Sequence, residues 1–374
     1  MNLRVLVADD SILFRKVIAE ALGKLPDIEV VGSAPNGKMA VQRVKELKPD
    51  ILTLDMEMPE MGGLEVLDAL RKSGETVEVI VVSALTKQGG QLTMRALEKG
   101  AFDFITKPDT SGAEESREYI RKELAPRMRA LGHRLEIRKL LRGAQSTTSA
   151  AVKKETAPAA PSMESLAEVS ARMSRLSSVV RPEMIVIGVS TGGPNALSVI
   201  IPQIPATIGV PILIVQHMPP LFTQSLAESL AGKSKIKVRE AADNETAEAN
   251  TAYIAPGGKQ MKLVPGADGR KLIQITDDPP ENNCKPAVDY LFRSVANNFP
   301  GLAMAAVLTG MGSDGTHGLR LLKRRGCYAI AQNEATCVVY GMPKAVVEAG
   351  LADSVLPLDA IASRMISFVR EGKV

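Results

Sequence analysis

Two α/β domains, each built on a mainly parallel sheet, are the architecture this sequence predicts, and three observations predict it. The chain has 374 residues, more than one ordinary hydrophobic core supports, so two modules are expected. Short β-branched runs alternate with amphipathic helical stretches from the N-terminus, and the alternation resumes near Met184, the pattern of a parallel sheet covered by helices. Between the two alternations, Gly143 to Pro161 (GAQSTTSAAVKKETAPAAP) is small and polar without hydrophobic periodicity, which is the composition of a flexible linker. The expected division is residues 1–125, a linker over 126–180, and residues 181–374.

In the first domain, strands are expected over residues 4–8, 28–34, 51–55, 77–83 and 102–106, with helices over 12–25, 37–47, 64–71 and 91–99. Five strands separated by helices make a doubly wound parallel sheet, whose functional residues gather beyond the carboxyl ends of the strands. In the second domain, residues 184–189, 212–216, 303–308 and 328–331 read as strands, and short strands are expected around Val238, Tyr253 and Leu272. Helices are expected from Pro194, over 223–231, 287–298 and 319–325, and from Pro343 and Leu358, with a hairpin-like excursion over 236–276.

Bulk properties exclude several classes. Hydrophobic residues make up 45% and charged residues 24% of the chain, a soluble composition, and no apolar run approaches the roughly 20 residues of a membrane-spanning helix. The N-terminus enters a charged strand directly, without the features of a signal peptide, so the cytoplasm is the expected location. The three cysteines, Cys284, Cys327 and Cys337, have no CxxC spacing and are expected to pack as small apolar residues. Part of the net charge of +4 comes from Arg127, Arg129, Arg134, Arg138, Lys139 and Arg142, read as a solvated helix face because no base-stacking aromatics accompany them. No nucleic-acid partner is expected, and a monomer is.

The first sheet's strand ends carry chemistry. Strand one ends in Asp9-Asp10, strand three in Asp55 and strand four in Ser83, and strand five is followed by Lys107-Pro108. Crowded carboxylates repel one another until a hard cation such as Mg²⁺ binds among their oxygens. Asp55 can then attack a phosphoryl group while Lys107 and the Ser83 hydroxyl hold its oxygens. Any one acidic residue could merely end a strand as a turn former; the co-location of all five cannot be read that way. Over roughly residues 2 to 125, the motifs VADDS (Val7–Ser11), LDMEMP (Leu54–Pro59), VVSA (Val81–Ala84) and FITKP (Phe104–Pro108) resemble the receiver domain of bacterial two-component response regulators. The resemblance implies that Asp55 accepts phosphate from a histidine kinase. It further implies that Asp10, Asp55 and the Glu57 carbonyl ligate Mg²⁺, that Asp9 supports the metal through water, and that Ser83 and Phe104 are switch residues. The family's MDG turn reads Met61-Gly62-Gly63 here, and the lost acidic residue is expected to loosen the turn before helix three.

In the second domain, Gly188-Val189-Ser190-Thr191-Gly192-Gly193 lies between a strand and a helix. As GxSxG it presents Ser190 on a tight turn whose amides can stabilise an oxyanion. As a degenerate GxGxxG it would cradle a dinucleotide, but its middle glycine is Ser190 and the next strand ends in Gln216-His217 rather than a ribose-binding carboxylate. A glycine-rich turn that only packs a helix on the sheet is the third reading. Of the three histidines, His133 is expected to be solvated, His217 is favoured as general base, and His317 is its rival. Asp314 best fits the orienting carboxylate, with Asp277, Asp278 and Asp289 as alternatives. The order Ser, His, Asp differs from that of the α/β-hydrolase fold.

The motifs GVSTGGP (Gly188–Pro194), VQHMPP (Val215–Pro220), YIAPGG (Tyr253–Gly258), TGMGSDG (Thr309–Gly315) and AQNEATCVVYGMP (Ala331–Pro343) resemble the chemotaxis protein-glutamate methylesterases across nearly the whole chain. The resemblance implies that Ser190 is the nucleophile, His217 the base and Asp314 the orienting acid. Oxyanion donors would then fall near the Met311 amide and within His217 and its neighbours, with Thr191 close to the triad. It implies glutamate γ-methyl esters of chemoreceptors as substrate, an associated glutamine deamidation, a chemotaxis-type histidine kinase as partner, and no cofactor in the second domain. Val189 replaces an alanine common in the first motif. A DNA-binding output would need a terminal helix-turn-helix, and the second domain is glycine-rich α/β instead.

Overall fold

The computed structural model describes residues 2–108, 112–145, 181–299 and 303–372; residues 146–180 of the expected linker lie outside the described residues. The N-terminal half holds β1 (Leu3–Ala8), β2 (Ile28–Ala34), β3 (Ile51–Asp55), β4 (Glu78–Ser83) and β5 (Asp103–Thr106), interleaved with α1 (Ile12–Gly23), α2 (Gly37–Leu47), α3 (Gly63–Lys72) and α4 (Lys87–Glu98). The strands form one parallel sheet in the order β2-β1-β3-β4-β5. The chain reverses its winding between β1 and β3, which opens a crevice at their carboxyl ends. Local chemistry sets the helix starts: Ser11, Asn36 and Thr86 each cap a helix by accepting an amide hydrogen bond. At the Met61-Gly62-Gly63 turn, the Gly62 amide donates to Glu65 Oε2 at 2.8 Å, so Glu65 braces the start of α3.

α5 (Ala113–Gln145) follows and runs through the expected boundary at residue 125. Arg127 does not belong to a solvated face. It pairs with Asp103 of β5 at 2.9 Å and with Glu123 at 3.0 Å, clamping α5 to the sheet edge. His133 is exposed, as expected.

The C-terminal half is built on a seven-stranded parallel sheet, β15-β14-β13-β6-β7-β10-β8. β6 (Met184–Val189) is buried at every position and is flanked by β7 (Ile212–Gln216) and β13 (Ala303–Val307). The chain winds from β6 toward β10 (Thr251–Ile254) and β8 (Lys237–Glu240), then returns to build β13, β14 (Tyr328–Gln332) and β15 (Ser354–Leu356) on the other side. The switch point therefore lies at the end of β6. The helices are α6 (Gly193–Ile200), α7 (Phe222–Ala231), α8 (Val288–Asn298), α9 (Thr316–Arg324), α10 (Met342–Glu348) and α11 (Leu358–Glu371).

The hairpin-like excursion expected over 236–276 is corrected in part. β8 and β10 pair in parallel inside the main sheet. Only β9 (Glu245–Thr246), β11 (Gln260–Pro265) and β12 (Lys271–Thr276) form a separate antiparallel sheet. The hydrophobic pattern marks β8, β10 and β12 as strands but not β9 or β11, and it cannot tell which neighbour each will find.

The two halves share one continuous core. Buried residues of the first, among them Met94, Leu97 and Phe104, belong to the same cluster as Phe222, Leu226 and Leu230 of α7. The Phe104 and Phe222 rings stack with centroids 4.8 Å apart and planes at 2°. At Gly90 a Cβ would stand 2.6 Å from Ser225 Oγ, so the glycine lets α4 approach α7 closely. Polar contacts rim this patch, with Gln91 donating to Glu228 at 3.3 Å and Lys233 pairing with Glu98 at 2.5 Å. Among the described residues no helix is long and apolar enough to cross a membrane.

Candidate active site

Ser190 and His217 are the first residues beyond β6 and β7. Val189 and Gln216 are registered partners in that parallel pair, so Ser190 and His217 leave neighbouring strands about 4.8 Å apart. Ser190 is fixed by its backbone: its amide donates to the Thr309 carbonyl at 3.0 Å, and its carbonyl accepts from Gly193 N at 2.7 Å and Gln216 Nε2 at 3.0 Å. The glycines around it are required by space. A Cβ on Gly193 would lie 1.9 Å from Gln216 Oε1, and one on Gly310 would lie 2.8 Å from Ser190 Cβ and 2.5 Å from Met342 Sδ. Gly310→Ala is expected to lower stability by about 1–3 kcal/mol through overpacking and to displace Ser190. Chemical denaturation and esterase assays on the same preparation measure both effects.

His217 Nε2 donates to Asp314 Oδ2 at 2.8 Å. Asp314 is buried and saturated with donors. Oδ2 also accepts from Val288 N at 2.7 Å, while Oδ1 accepts from Asp289 N, Gly315 N and Asn282 Nδ2 at 2.9 to 3.0 Å. Burial pushes the Asp314 carboxyl up, but His217 and the backbone amides outweigh it and hold it below the ordinary carboxylate value. A carboxylate so fixed orients the imidazole and stabilises its charged form.

The second ring nitrogen meets a residue that sequence reasoning assigned to packing. Cys284 Sγ lies 3.6 Å from His217 Nδ1, and among the described residues no hydrogen bond joins the Ser190 hydroxyl to any group. Burial lowers the imidazole pKa, but Asp314 and Cys284 overcome that and lift it from 6.5 to about 9. The base expected at His217 must be neutral to take a proton, so hydrolysis that depends on it is expected to rise with pH through an inflection near 9 rather than near 6.5, as a pH–rate profile would measure. Stability carries the opposite sign. The folded-state value is raised, so the contribution of His217 is complete below about 6.5 and lost as pH climbs through about 9.

The rivals separate clearly. His317 lies exposed in the first turn of α9, and Asp277 and Asp278 are exposed, paired with Lys259 and Tyr290. Asp289 is buried but answers Gly318 N and Asn282, supporting Asp314 from behind. The expectation that His217 itself supplies an oxyanion amide is corrected: its N–H is committed to the Val189 carbonyl at 3.2 Å. The Met311 and Thr191 amides make no hydrogen bond among the described residues and are free to act as donors. Asn282 and Cys284 were missed because nothing in their spacing ties them to Ser190 or His217, and the role of Gln216, although it adjoins His217, because only folding brings its side chain to the Ser190 carbonyl.

At the first sheet's crevice, Lys107 Nζ lies 2.8 Å from Asp9 Oδ2 and 2.9 Å from Asp55 Oδ2. Asp9, Asp10 and Asp55 offer oxygens within 4.8 Å of one another, and Asp10 is exposed where the other two are buried. Burial raises the Asp55 carboxyl to about 6; Lys107 opposes the shift and Asp9 adds to it. Asp9 Oδ2 is buried and has only this ion pair, with no aligned hydrogen bond. An all-oxygen set with an under-satisfied buried carboxylate fits a hard divalent cation. Ser83 is buried, its hydroxyl donating to the Gly89 carbonyl at 3.2 Å and its own carbonyl accepting from Lys107 N at 2.8 Å. Glu57 is exposed on the loop after Asp55, its amide directed at Asp55 Oδ1.

Comparison with known proteins agrees with both halves. A CheB methylesterase family model matches residues 185–365, and a response regulator receiver domain model matches residues 5–115. The chain is 46% identical to a protein-glutamate methylesterase/protein-glutamine glutaminase of Desulfotalea psychrophila, covering 99% of both chains. It is 40% identical to one of Bacillus subtilis, covering 100% of both. A crystal structure of the Thermotoga maritima CheB methylesterase catalytic domain is 43% identical, with a TM-score of 0.49, covering 51% of this chain and 100% of that one. With near-complete alignment to such relatives, the chain belongs to the protein-glutamate methylesterase/protein-glutamine glutaminase family, a receiver domain preceding a CheB methylesterase domain.

Proposed function

We propose that this protein is a phosphorylation-controlled serine hydrolase that demethylates glutamate γ-methyl esters on chemoreceptors and deamidates specific glutamines, using Ser190, His217 and Asp314. The observation that carries the reading is the convergence at one switch point of Ser190, beyond β6, with the His217–Asp314 pair at 2.8 Å. His217 takes the proton as Ser190 attacks the ester carbonyl, and methanol leaves with that proton. Water, activated by the same imidazole, then hydrolyses the acyl-enzyme. For a glutamine substrate the leaving group is ammonia. The Met311 and Thr191 amides receive the oxyanion, each worth about 3 kcal/mol in the transition state.

Domain roles follow: residues 1–125 receive the signal, 126–180 link, and 181–374 catalyse. Asp55 is the phosphoacceptor, served by a chemotaxis-type histidine kinase. Mg²⁺ would be held by Asp10, Asp55 and the Glu57 carbonyl, with Asp9 behind water, and would supply neutralising charge at the acceptor. Lys107 and Ser83 hold the phosphoryl oxygens. A phosphoryl group adds about −1.5 to −2 charges beside Lys107, which changes what Ser83 and Phe104 are held by. Phe104 stacks on Phe222, five positions beyond His217 along the chain, so the receiver covers and restrains the catalytic face until Asp55 is phosphorylated.

A second reading makes Cys284 the nucleophile, favoured by its 3.6 Å approach to Nδ1. The first reading is preferred because Ser190 lies on the strand-to-helix turn beside two free amides. Methanol release from a methylated receptor fragment is expected from the full chain and is expected to increase with a small phosphodonor. Absence of methanol under both conditions would overturn the proposal.

A further inference from the structure

We infer that the catalytic cleft contains an inhibitory site for a thiol-seeking divalent cation of the Zn²⁺ class, formed by Cys284 Sγ and His217 Nδ1 with Asp314 behind the ring. Two ligands bound tetrahedrally at about 2.3 Å for sulfur and about 2.0–2.1 Å for nitrogen stand about 3.5 Å apart. Sγ and Nδ1 are 3.6 Å apart, a separation that matches two corners of such a tetrahedron. On the far side of the ring, Nε2 lies 2.8 Å from Asp314 Oδ2. When Nε2 carries the hydrogen, Nδ1 presents its lone pair toward the sulfur, the carboxylate–imidazole arrangement that fixes the tautomer and raises ligand basicity.

The other cysteines offer nothing comparable. Cys327 is buried, and burial pushes the Cys327 and Cys337 thiols up to about 12, far from the thiolate a metal requires. Cys284 is partly exposed, so an ion can enter. The oxygen-only set of Asp9, Asp10 and Asp55 selects a hard cation instead, and the two sites discriminate by donor type. Binding replaces the thiol proton by a sulfur–metal bond and, below about pH 9, the Nδ1 proton of His217 by a nitrogen–metal bond; both protons go to solvent, so affinity rises with pH. Water fills the remaining positions. With Nδ1 coordinated, the imidazole has no lone pair left to accept the Ser190 proton. This last step rests on His217 being the base; the binding itself does not.

Co²⁺ and Zn²⁺ are the probes, used on the full chain. Co²⁺ should produce a near-ultraviolet thiolate-to-metal absorption band that Zn²⁺ displaces and Mg²⁺ does not. Zn²⁺ should lower methanol release at least about tenfold, reversed by a chelator. Cys284→Ser should lose the band and weaken Zn²⁺ binding by about 100-fold or more, with an unchanged thermal unfolding profile reporting that the variant is folded. A Cys327→Ser/Cys337→Ser double variant should keep the band. A band that survives Cys284→Ser, or is lost in the double variant, overturns the site. A band without inhibition leaves the site standing and removes its inhibitory role, which identifies the base assignment as the part in error.

Discussion

Ser190→Ala should abolish ester hydrolysis, lowering kcat by about 10⁴–10⁶-fold, while phosphoryl uptake at Asp55 is unchanged. The effect is large because the Ser190 hydroxyl is the attacking group on the strand-to-helix turn. Ser190 is held by the Thr309 carbonyl, Gly193 and Gln216, so its removal leaves an oxyanion site with no attacking group. His217→Ala should cost about as much, and the double variant little more, since the residues act as one unit. Single-turnover methanol release with labelled receptor fragment measures all three. A Ser190→Ala protein that still releases methanol at a substantial rate would transfer the nucleophile to Cys284, whose sulfur is the nearest alternative to His217.

Asp55→Asn should erase the response to phosphodonor, taking the ratio of stimulated to resting rate to about one while the resting rate persists. Asp55 and Asp9 share Lys107 at 2.9 and 2.8 Å, and an amide at position 55 can neither accept the phosphoryl group nor redirect that ammonium. The two domains pack through β5, which sets Phe104 against Phe222 at the start of α7, through α4, which lies on the same helix at Gly90 and Ser225, and through Val338 and Val339 against the first domain's core. Interfaces packed this closely switch between discrete arrangements instead of deforming gradually. Undiminished stimulation of Asp55→Asn would place the phosphoacceptor elsewhere.

Much of both sites was legible because chemistry sat where the hydrophobic pattern said strands must end. Asp9, Asp10, Asp55, Ser83 and Lys107 follow four buried strands, and Ser190, His217 and Asp314 follow three more. In a parallel sheet those ends face one crevice, so strand periodicity and residue type sufficed to propose each constellation. Arg127 was misread because a helical spacing of cations looks the same whether it meets water or, as here, Asp103 across 24 residues.

The two parallel sheets, the residues at their carboxyl ends and the chemistry those residues can perform follow from the chain's own pattern. Local periodicity and side-chain type are properties of short segments. Folding in three dimensions is what joins β8 and β10 to the main sheet, lays Phe104 on Phe222 and sets Cys284 facing His217 across 67 positions. Those facts depend on which surfaces bury each other once distant segments meet, and no short-range pattern records that choice.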